Sequence, residues 1–330
     1  MKILVLPVLL AATHAFVPID LKSGTLTGKA LVEYVNSVQS LFTVEHVDVT
    51  KEFMKSRVMD VKYASPPPSD EIRSTEVNTV LAKKIPDTFD ARKKWKNCTS
   101  IKMIRNQANC GSCWAFGAAE VISDRICIVT KGARQPIISP TDMLECCGYY
   151  CGYGCDGGYS IMALRWWVST GVVTGGDYQG DGCKPYPFCM SAGCPDAVTP
   201  DCALSCQSKY NKEYAKDKNF GSSAYYVGWN VSVIQTEIMT NGPVEASFKV
   251  YEDFYKYKKG VYQYTAGEVL GGHAIKIIGW GTENGTDYWL NANSWGADWG
   301  EKGFFKMRRG VNECGIEGNV VAGKADVDTL

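Results

Sequence analysis

All fourteen cysteines of this 330-residue chain lie from Cys98 onward, and that asymmetry constrains the fold more than any other feature. They cluster as Cys146-Cys147, Cys151 and Cys155, then Cys183, Cys189, Cys194, Cys202 and Cys206, with none between Cys206 and Cys314. The first half of the cysteine-bearing region therefore reads as stapled loops and helices, while the second half must hold itself by packing. That second half reads as strands at 242–248, 273–278, 287–290 and 303–307, bounded by Gly, Asn and Asp turn signals. Zinc is the competing use of Cys-x-x-Cys spacings. Near absence of histidine from this region argues against it, so no metal or cofactor is expected.

The cysteine-free N-terminal portion has its own organisation. Met1-Lys2, an apolar run to Ala12 and small residues at Thr13 and Ala15 predict a secretory signal peptide over 1–15. An oxidising compartment follows, which suits a disulfide framework. Leu31, Val35, Val38 and Phe42 recur at helical spacing, and Tyr34 and Leu41 widen the stripe. A stiff Ser65-Pro66-Pro67-Pro68 segment and Lys83-Lys84 precede Ile85-Pro86, which predicts a propeptide over 16–84 and a mature body over 85–330. No later segment is long and apolar enough to span a bilayer. Lys plus Arg and Asp plus Glu both number 35, so nothing points to nucleic acid or an anionic membrane. Asn97, Asn230 and Asn284 begin glycosylation sequons.

Cys110-Gly111-Ser112-Cys113 precedes a run, 114–122, that predicts a helix. A thiol at a helix start feels unpaired N–H groups and the positive dipole end, both of which favour the thiolate. Two readings compete: a redox pair of the thioredoxin type, or a nucleophile at Cys113. A nucleophile needs a base to work below the ordinary thiol value of about 8.5. Of three histidines, His14 is in the signal peptide, His46 in the propeptide and His273 in the body, so His273 is the one available base. Asn291 and Asn293, two residues apart, could each orient its ring, and spacing does not choose between them. Trp295 could shield that bond from water, and Gln107 could donate to an oxyanion together with the Cys113 N–H. If Cys113 stays free, thirteen cysteines remain and one more must be unpaired; isolated Cys314 is the natural candidate.

Gln107-x-x-Cys110-Gly111-Ser112-Cys113-Trp114-Ala115-Phe116, Gly271-Gly272-His273-Ala274 and Asn293-Ser294-Trp295-Gly296 together resemble the papain-like cysteine proteases. Cys146-Cys147, Asp156-Gly157-Gly158-Tyr159 and Glu313-Cys314-Gly315-Ile316-Glu317 resemble the cathepsin B-like members. His273 and Asn293 follow Cys113 by 160 and 180 residues, against roughly 130–150 in the general pattern, so the 183–206 region reads as an insertion. The resemblance implies an α+β fold of two parts, a helical left domain over about 95–221 and a β-barrel right domain over about 222–330, with the active-site cleft between them. It implies Cys113, His273, Asn293 and Gln107 as catalytic residues, and Gly157, Gly158, Tyr159, Ala274, Trp295 and Asn319 as substrate-binding ones. It also implies the pairings Cys98–Cys127, Cys110–Cys155, Cys146–Cys202, Cys147–Cys151, Cys183–Cys206 and Cys189–Cys194, leaving Cys113 and Cys314 free. Partners would be protein and peptide substrates, the chain's own propeptide as inhibitor, and cystatin-type inhibitors. The enzyme would be lysosomal or secreted, a gut lumen included. A non-catalytic secreted binding protein is the opposed reading.

Three positions depart from the family pattern. The loop that in cathepsin B grips a substrate's C-terminal carboxylate with adjacent histidines is here Cys189-Met190-Ser191-Ala192-Gly193-Cys194, without histidine. This predicts an endopeptidase with weak or no carboxydipeptidase activity. Asn319 stands where an acid usually lines the second-subsite pocket, which predicts apolar or aromatic residues at P2 unless Glu317 turns into that pocket. Asn291 stands where an apolar branched residue is usual.

Overall fold

A computed structural model of the chain describes residues 23–67, 85–189, 194–195 and 197–329. The expected signal peptide, the segment 68–84 around the expected processing site, and 190–193 of the short disulfide loop lie outside them. The helical stripe in the N-terminal portion is shorter than its periodicity predicts. The helix Gly28–Val38 buries Leu31 and Val35 and then stops. Gln39 turns the chain: its Oε1 accepts from the N–H groups of Leu41 and Phe42, while its Nε2 donates to the carbonyls of Val35 and Phe42. Phe42 therefore enters a strand, β1 (Phe42–Val44), and pairs with Gly260.

The remaining strands are β2 (Phe89–Asp90), β3 (Gly221–Tyr226), β4 (Val244–Tyr251), β5 (Tyr257–Tyr262), β6 (Val269–Glu283), β7 (Thr286–Ala292), β8 (Phe304–Arg308) and β9 (Val320–Ala325). Their hydrogen-bonded order is β1-β5-β8-β7-β6-β4-β9-β3, with β2 on β6. The expected barrel is thus an open sheet whose path ends at β1 and β3. Ala246, Phe248, Tyr262, Ile275, Ile277, Trp289, Phe305, Met307 and Val320 from six strands share one core, so the sheet curves around it. β6 and β7 form a hairpin through Asn284-Gly285, both at positive φ (50° and 78°), as a two-residue turn of this kind requires. β6 outruns its predicted span because nearly its whole length is buried, between β4 and β7 and beneath the central helix.

That helix, Cys113–Val129, is buried from Cys113 to Cys127 and carries Trp114, Ala115, Phe116 and Ile122 into a second core. Its apolar residues run all round the helix, as suits an element inside a structure, with Glu120, Ser123, Asp124 and Arg125 buried among them. Gly117 lets it approach β4 closely: a Cβ there would lie 2.6 Å from Glu245 Oε1. Its polar residues serve the contact with the sheet. Lys276 of β6 is fully buried, with its Nζ 2.9 Å from Asp124 and 3.4 Å from Glu120. All six implied disulfides are formed, and Cys113 and Cys314 are free. The Cys110–Cys155 bond removes Cys110 from any redox pairing with Cys113. Among the described residues no helix is long and apolar enough to cross a membrane.

Candidate active site

Cys113 is the first residue of the central helix, and its thiol is fully buried. The backbone N–H groups of Ala274, Trp114 and Cys113 itself all favour its thiolate form, Ala274 being the β6 neighbour of His273. Gly111, two residues earlier, is packed so tightly that a Cβ would lie 2.3 Å from the Cys155 carbonyl oxygen. The tight loop and the disulfide beside it therefore fix where the helix begins.

His273 lies on β6 opposite Phe248, its ring 4.6 Å from that of Trp295. Its Nε2 is 2.7 Å from Asn293 Oδ1. That oxygen also accepts from the Ser294 N–H, so Nε2 carries the proton and donates it. The other nitrogen, Nδ1, is buried without a hydrogen-bond partner among the described residues, leaving a lone pair available as a base. Asn293 therefore fixes both the tautomer and the orientation of the ring. Asn291 does not reach it: its Nδ2 donates to the Trp289 carbonyl at 2.9 Å, and its Oδ1 is buried and unpartnered. Its apolar environment gives no reason for an amide there.

Gln107 is completely buried, and each end of its amide is committed. Ser294 Oγ donates to its Oε1 at 2.7 Å, while its Nε2 donates to the Cys110 carbonyl at 2.7 Å and the Arg57 carbonyl at 3.2 Å. Trp295 Nε1 donates to the same Arg57 oxygen at 3.2 Å. Arg57 belongs to the N-terminal segment, which runs through the cleft. Met59 exchanges backbone hydrogen bonds with Gly272 at 2.9 and 2.7 Å. Tyr63 lies edge-on to Tyr159 at 4.8 Å and against Gly157, where a Cβ would be 2.5 Å from its ring. Asn319 Nδ2 donates to the Ala64 carbonyl at 3.4 Å. The same segment anchors itself outside the cleft by burying Leu31, Val35, Phe42, Val44 and Met54 against the sheet core. Each such side chain contributes about 1.5–3 kcal/mol.

Of the residues the sequence singles out for substrate, Gly157, Tyr159, Trp295 and Asn319 thus touch the N-terminal segment. Gly158 instead packs on the Trp114 ring, and the Ala274 N–H favours the Cys113 thiolate. Glu317 is turned away and locked, accepting from Trp289 Nε1, Gly310 N–H and Asn312 N–H. Sequence reasoning missed Ser294, whose hydroxyl holds Gln107. It also missed Arg57, whose guanidinium donates to Ala108 O and Asn106 Oδ1. A lone serine or arginine carries no spacing signal.

The covered site also differs electrostatically from the expected thiolate. Burial pushes the Cys113 thiol up to about 12, against the pull of the Ala274 N–H. Burial likewise pushes His273 down to about 3, against its bond to Asn293. Both groups are neutral while the segment lies over them, because neither charge has water to solvate it.

The description "Papain family cysteine protease" matches residues 85–324. The chain is 66% identical to the gut-specific cysteine proteinase of Caenorhabditis elegans over 99% of its own length and 100% of that protein. It is 46% identical to cathepsin B-like cysteine proteinase 1 of Haemonchus contortus, covering 94% of this chain and 93% of that one. Among solved structures, proCathepsin B S9 from Trypanosoma congolense superposes with a TM-score of 0.80 at 33% identity, covering 91% of this chain and 98% of that one. A buried thiol at a helix start, a tautomer-fixed imidazole on the facing strand and an N-terminal segment in the cleft are thus those of a zymogen, and the chain belongs to the papain family of cysteine proteases, among its cathepsin B-like members.

Proposed function

We propose that the mature enzyme cleaves peptide bonds through a thioester on Cys113, with His273 as its base. The observation that carries this assignment is the 2.7 Å bond from His273 Nε2–H to Asn293, which leaves Nδ1 as a lone pair beside the Cys113 segment. The thiol proton passes to Nδ1 and the thiolate attacks the scissile carbonyl. Gln107 Nε2 and the Cys113 N–H hold the oxyanion, and imidazolium protonates the leaving amine. Water activated by His273 then hydrolyses the thioester. Asn293 keeps the ring aligned and Trp295 covers their bond. Gly157, Gly158, Tyr159, Ala274 and Asn319 line the substrate's path.

The chain is divided in this reading into a signal peptide (1–15), a propeptide (16–84) and the protease (85–330), whose left part is about 95–221 and right part about 222–330. The propeptide is the inhibitor, and cystatin-type proteins would compete for the same cleft. Asn97, Asn230 and Asn284 are all exposed and open to glycosylation. The route is secretory, ending in lysosomes or outside the cell; a 66% identical relative described as gut-specific favours a gut lumen. The disulfide loop 189–194 lacks histidine, so a substrate's terminal carboxylate has no imidazole partner and endopeptidase action dominates. With Glu317 locked and Asn319 neutral, P2 prefers apolar or aromatic residues.

A thiol-directed epoxide should label Cys113 once the propeptide is removed, and Cys113→Ala should abolish proteolysis. Retained proteolysis in that variant ends this assignment. Efficient, carboxylate-dependent release of C-terminal dipeptides would end the endopeptidase assignment alone.

A further inference from the structure

The side chain of Tyr186 is not assigned any part in the chemistry above, yet it joins both proposed oxyanion donors. It is 1% exposed, with its ring edge-on to Phe116 at 4.7 Å and to Phe188 at 5.3 Å. Its hydroxyl is 2.7 Å from the Gln107 carbonyl oxygen and 2.8 Å from Ser112 Oγ. A carbonyl oxygen only accepts, so Tyr186 donates to Gln107 and accepts from Ser112. The two partners are significant. Gln107 supplies the side-chain donor, and the Ser112–Cys113 peptide carries the backbone donor. One phenol oxygen therefore sets the separation of the two.

A second observation concerns Ser112. Serine before a helix ordinarily accepts a hydrogen bond from the second or third helical N–H. Here it makes no such cap, and its backbone sits at φ −90°, ψ 15° rather than in the extended conformation of a capping residue. Its hydroxyl is diverted to Tyr186. The Trp114 N–H, one of the groups a capping serine would engage, instead acts on the Cys113 sulfur. The side-chain end of Gln107 is held independently by Ser294, two residues past the end of β7. The Gln107 N–H donates to the Ser294 carbonyl at 2.8 Å, and Tyr186 holds the Gln107 carbonyl, from the segment between the Cys183–Cys206 and Cys189–Cys194 bridges.

We propose that Tyr186 is a positioning residue for the oxyanion site, acting through its hydroxyl on Gln107 and Ser112. The inference rests on the roles proposed above for Cys113 and Gln107. Its test is Tyr186→Phe, which keeps the ring contacts and removes only the hydroxyl, in the processed enzyme with active sites counted by epoxide titration. Per titrated site, kcat for an amide substrate should fall about tenfold, short of the 10²–10³ that follows loss of a whole oxyanion donor. KM should change less than twofold. Alkylation of Cys113 by iodoacetamide, a displacement that forms no oxyanion, should keep its rate and pH profile. A kcat within twofold of the parent overturns the proposal, and so does alkylation falling in step with kcat, which marks general disturbance of Cys113. If Tyr186→Phe does not fold, Ser112→Ala breaks the same chain from its other end, and an unchanged kcat there is equally fatal. Failure of epoxide labelling in the parent enzyme would instead overturn the nucleophile assignment.

Discussion

Removing the propeptide should change the ionisation of Cys113, not only access to it. In the covered site burial pushes the thiol up to about 12 and His273 down to about 3. Moving the proton from sulfur to imidazole across that gap costs roughly 12 kcal/mol at about 1.4 kcal/mol per pH unit. Attraction between the resulting charges returns about 4 kcal/mol for a contact pair at an effective dielectric near 20. The balance is unfavourable by several kcal/mol, so the zymogen holds a neutral pair. Once Arg57 to Ala64 leave, water and substrate reach both groups, and the helix-start N–H groups favour thiolate. The assay is the pH dependence of iodoacetamide alkylation, followed on the Cys113 peptide by mass spectrometry so that free Cys314 does not interfere. Comparing curve shapes rather than absolute rates removes the effect of steric cover. The mature enzyme should reach a plateau between about pH 5 and 8, whereas the zymogen's rate should still be rising at pH 9. A zymogen plateau at pH 5 would refute the argument that burial neutralises the pair.

Four further outcomes are expected. Arg57→Ala removes charge-assisted bonds to Ala108 and Asn106, worth about 1.5–3 kcal/mol, so the propeptide added in trans should inhibit roughly 10- to 100-fold less tightly. Glu245 is fully buried, bonded to Ser160, and its carboxyl is held well above the usual range by desolvation. Its contribution is complete below about pH 4 and lost as pH rises toward its folded value, so Glu245→Gln should flatten the decline of denaturant stability that sets in above about pH 4. Lys276→Met leaves Glu120 and Asp124 buried beside each other without their cation, and urea unfolding should show a loss of about 3–5 kcal/mol. Asn319→Glu places an acid where the Ala64 carbonyl now binds, so the ratio of Arg-Arg to Phe-Arg peptide turnover should rise.

The strands and the central helix were legible because burial leaves a pattern: β6 and β7 contain the runs expected of them, while β4 and β8 overlap theirs but begin two and one residues later. β5 was not, since Tyr257-Lys258-Lys259-Gly260 lacks alternation and is stabilised by pairing with β1 and β8. Phe42 was misjudged because periodicity cannot register a side chain such as Gln39 that caps and turns the backbone. His273 follows from elimination; residue spacing alone leaves Asn291 and Asn293 open, the family resemblance points to Asn293, and the 2.7 Å bond to His273 Nε2 agrees with it, Asn293 lying just past the end of β7. Ser294 and Tyr186 were beyond reach of the sequence: each acts through a single hydroxyl on Gln107, from 187 and 79 residues away.

Latency and catalysis draw on the same atoms, which explains why the covering segment can be both tightly held and removable. Gln107 Nε2, the proposed oxyanion donor, meets the Arg57 carbonyl. Trp295, which covers the His273–Asn293 bond, donates to that same oxygen. The Gly272 backbone, flanked by a second glycine so that a main chain can approach, pairs with Met59. Each contact gives a polar group beneath the segment a hydrogen-bond partner, so the cover brings its own hydrogen bonds while leaving the Cys113–His273 pair without solvation. The electrostatic penalty is thereby concentrated on the two groups whose ionisation the chemistry requires. Replacing the segment with substrate and water lifts that penalty while reusing the same donors.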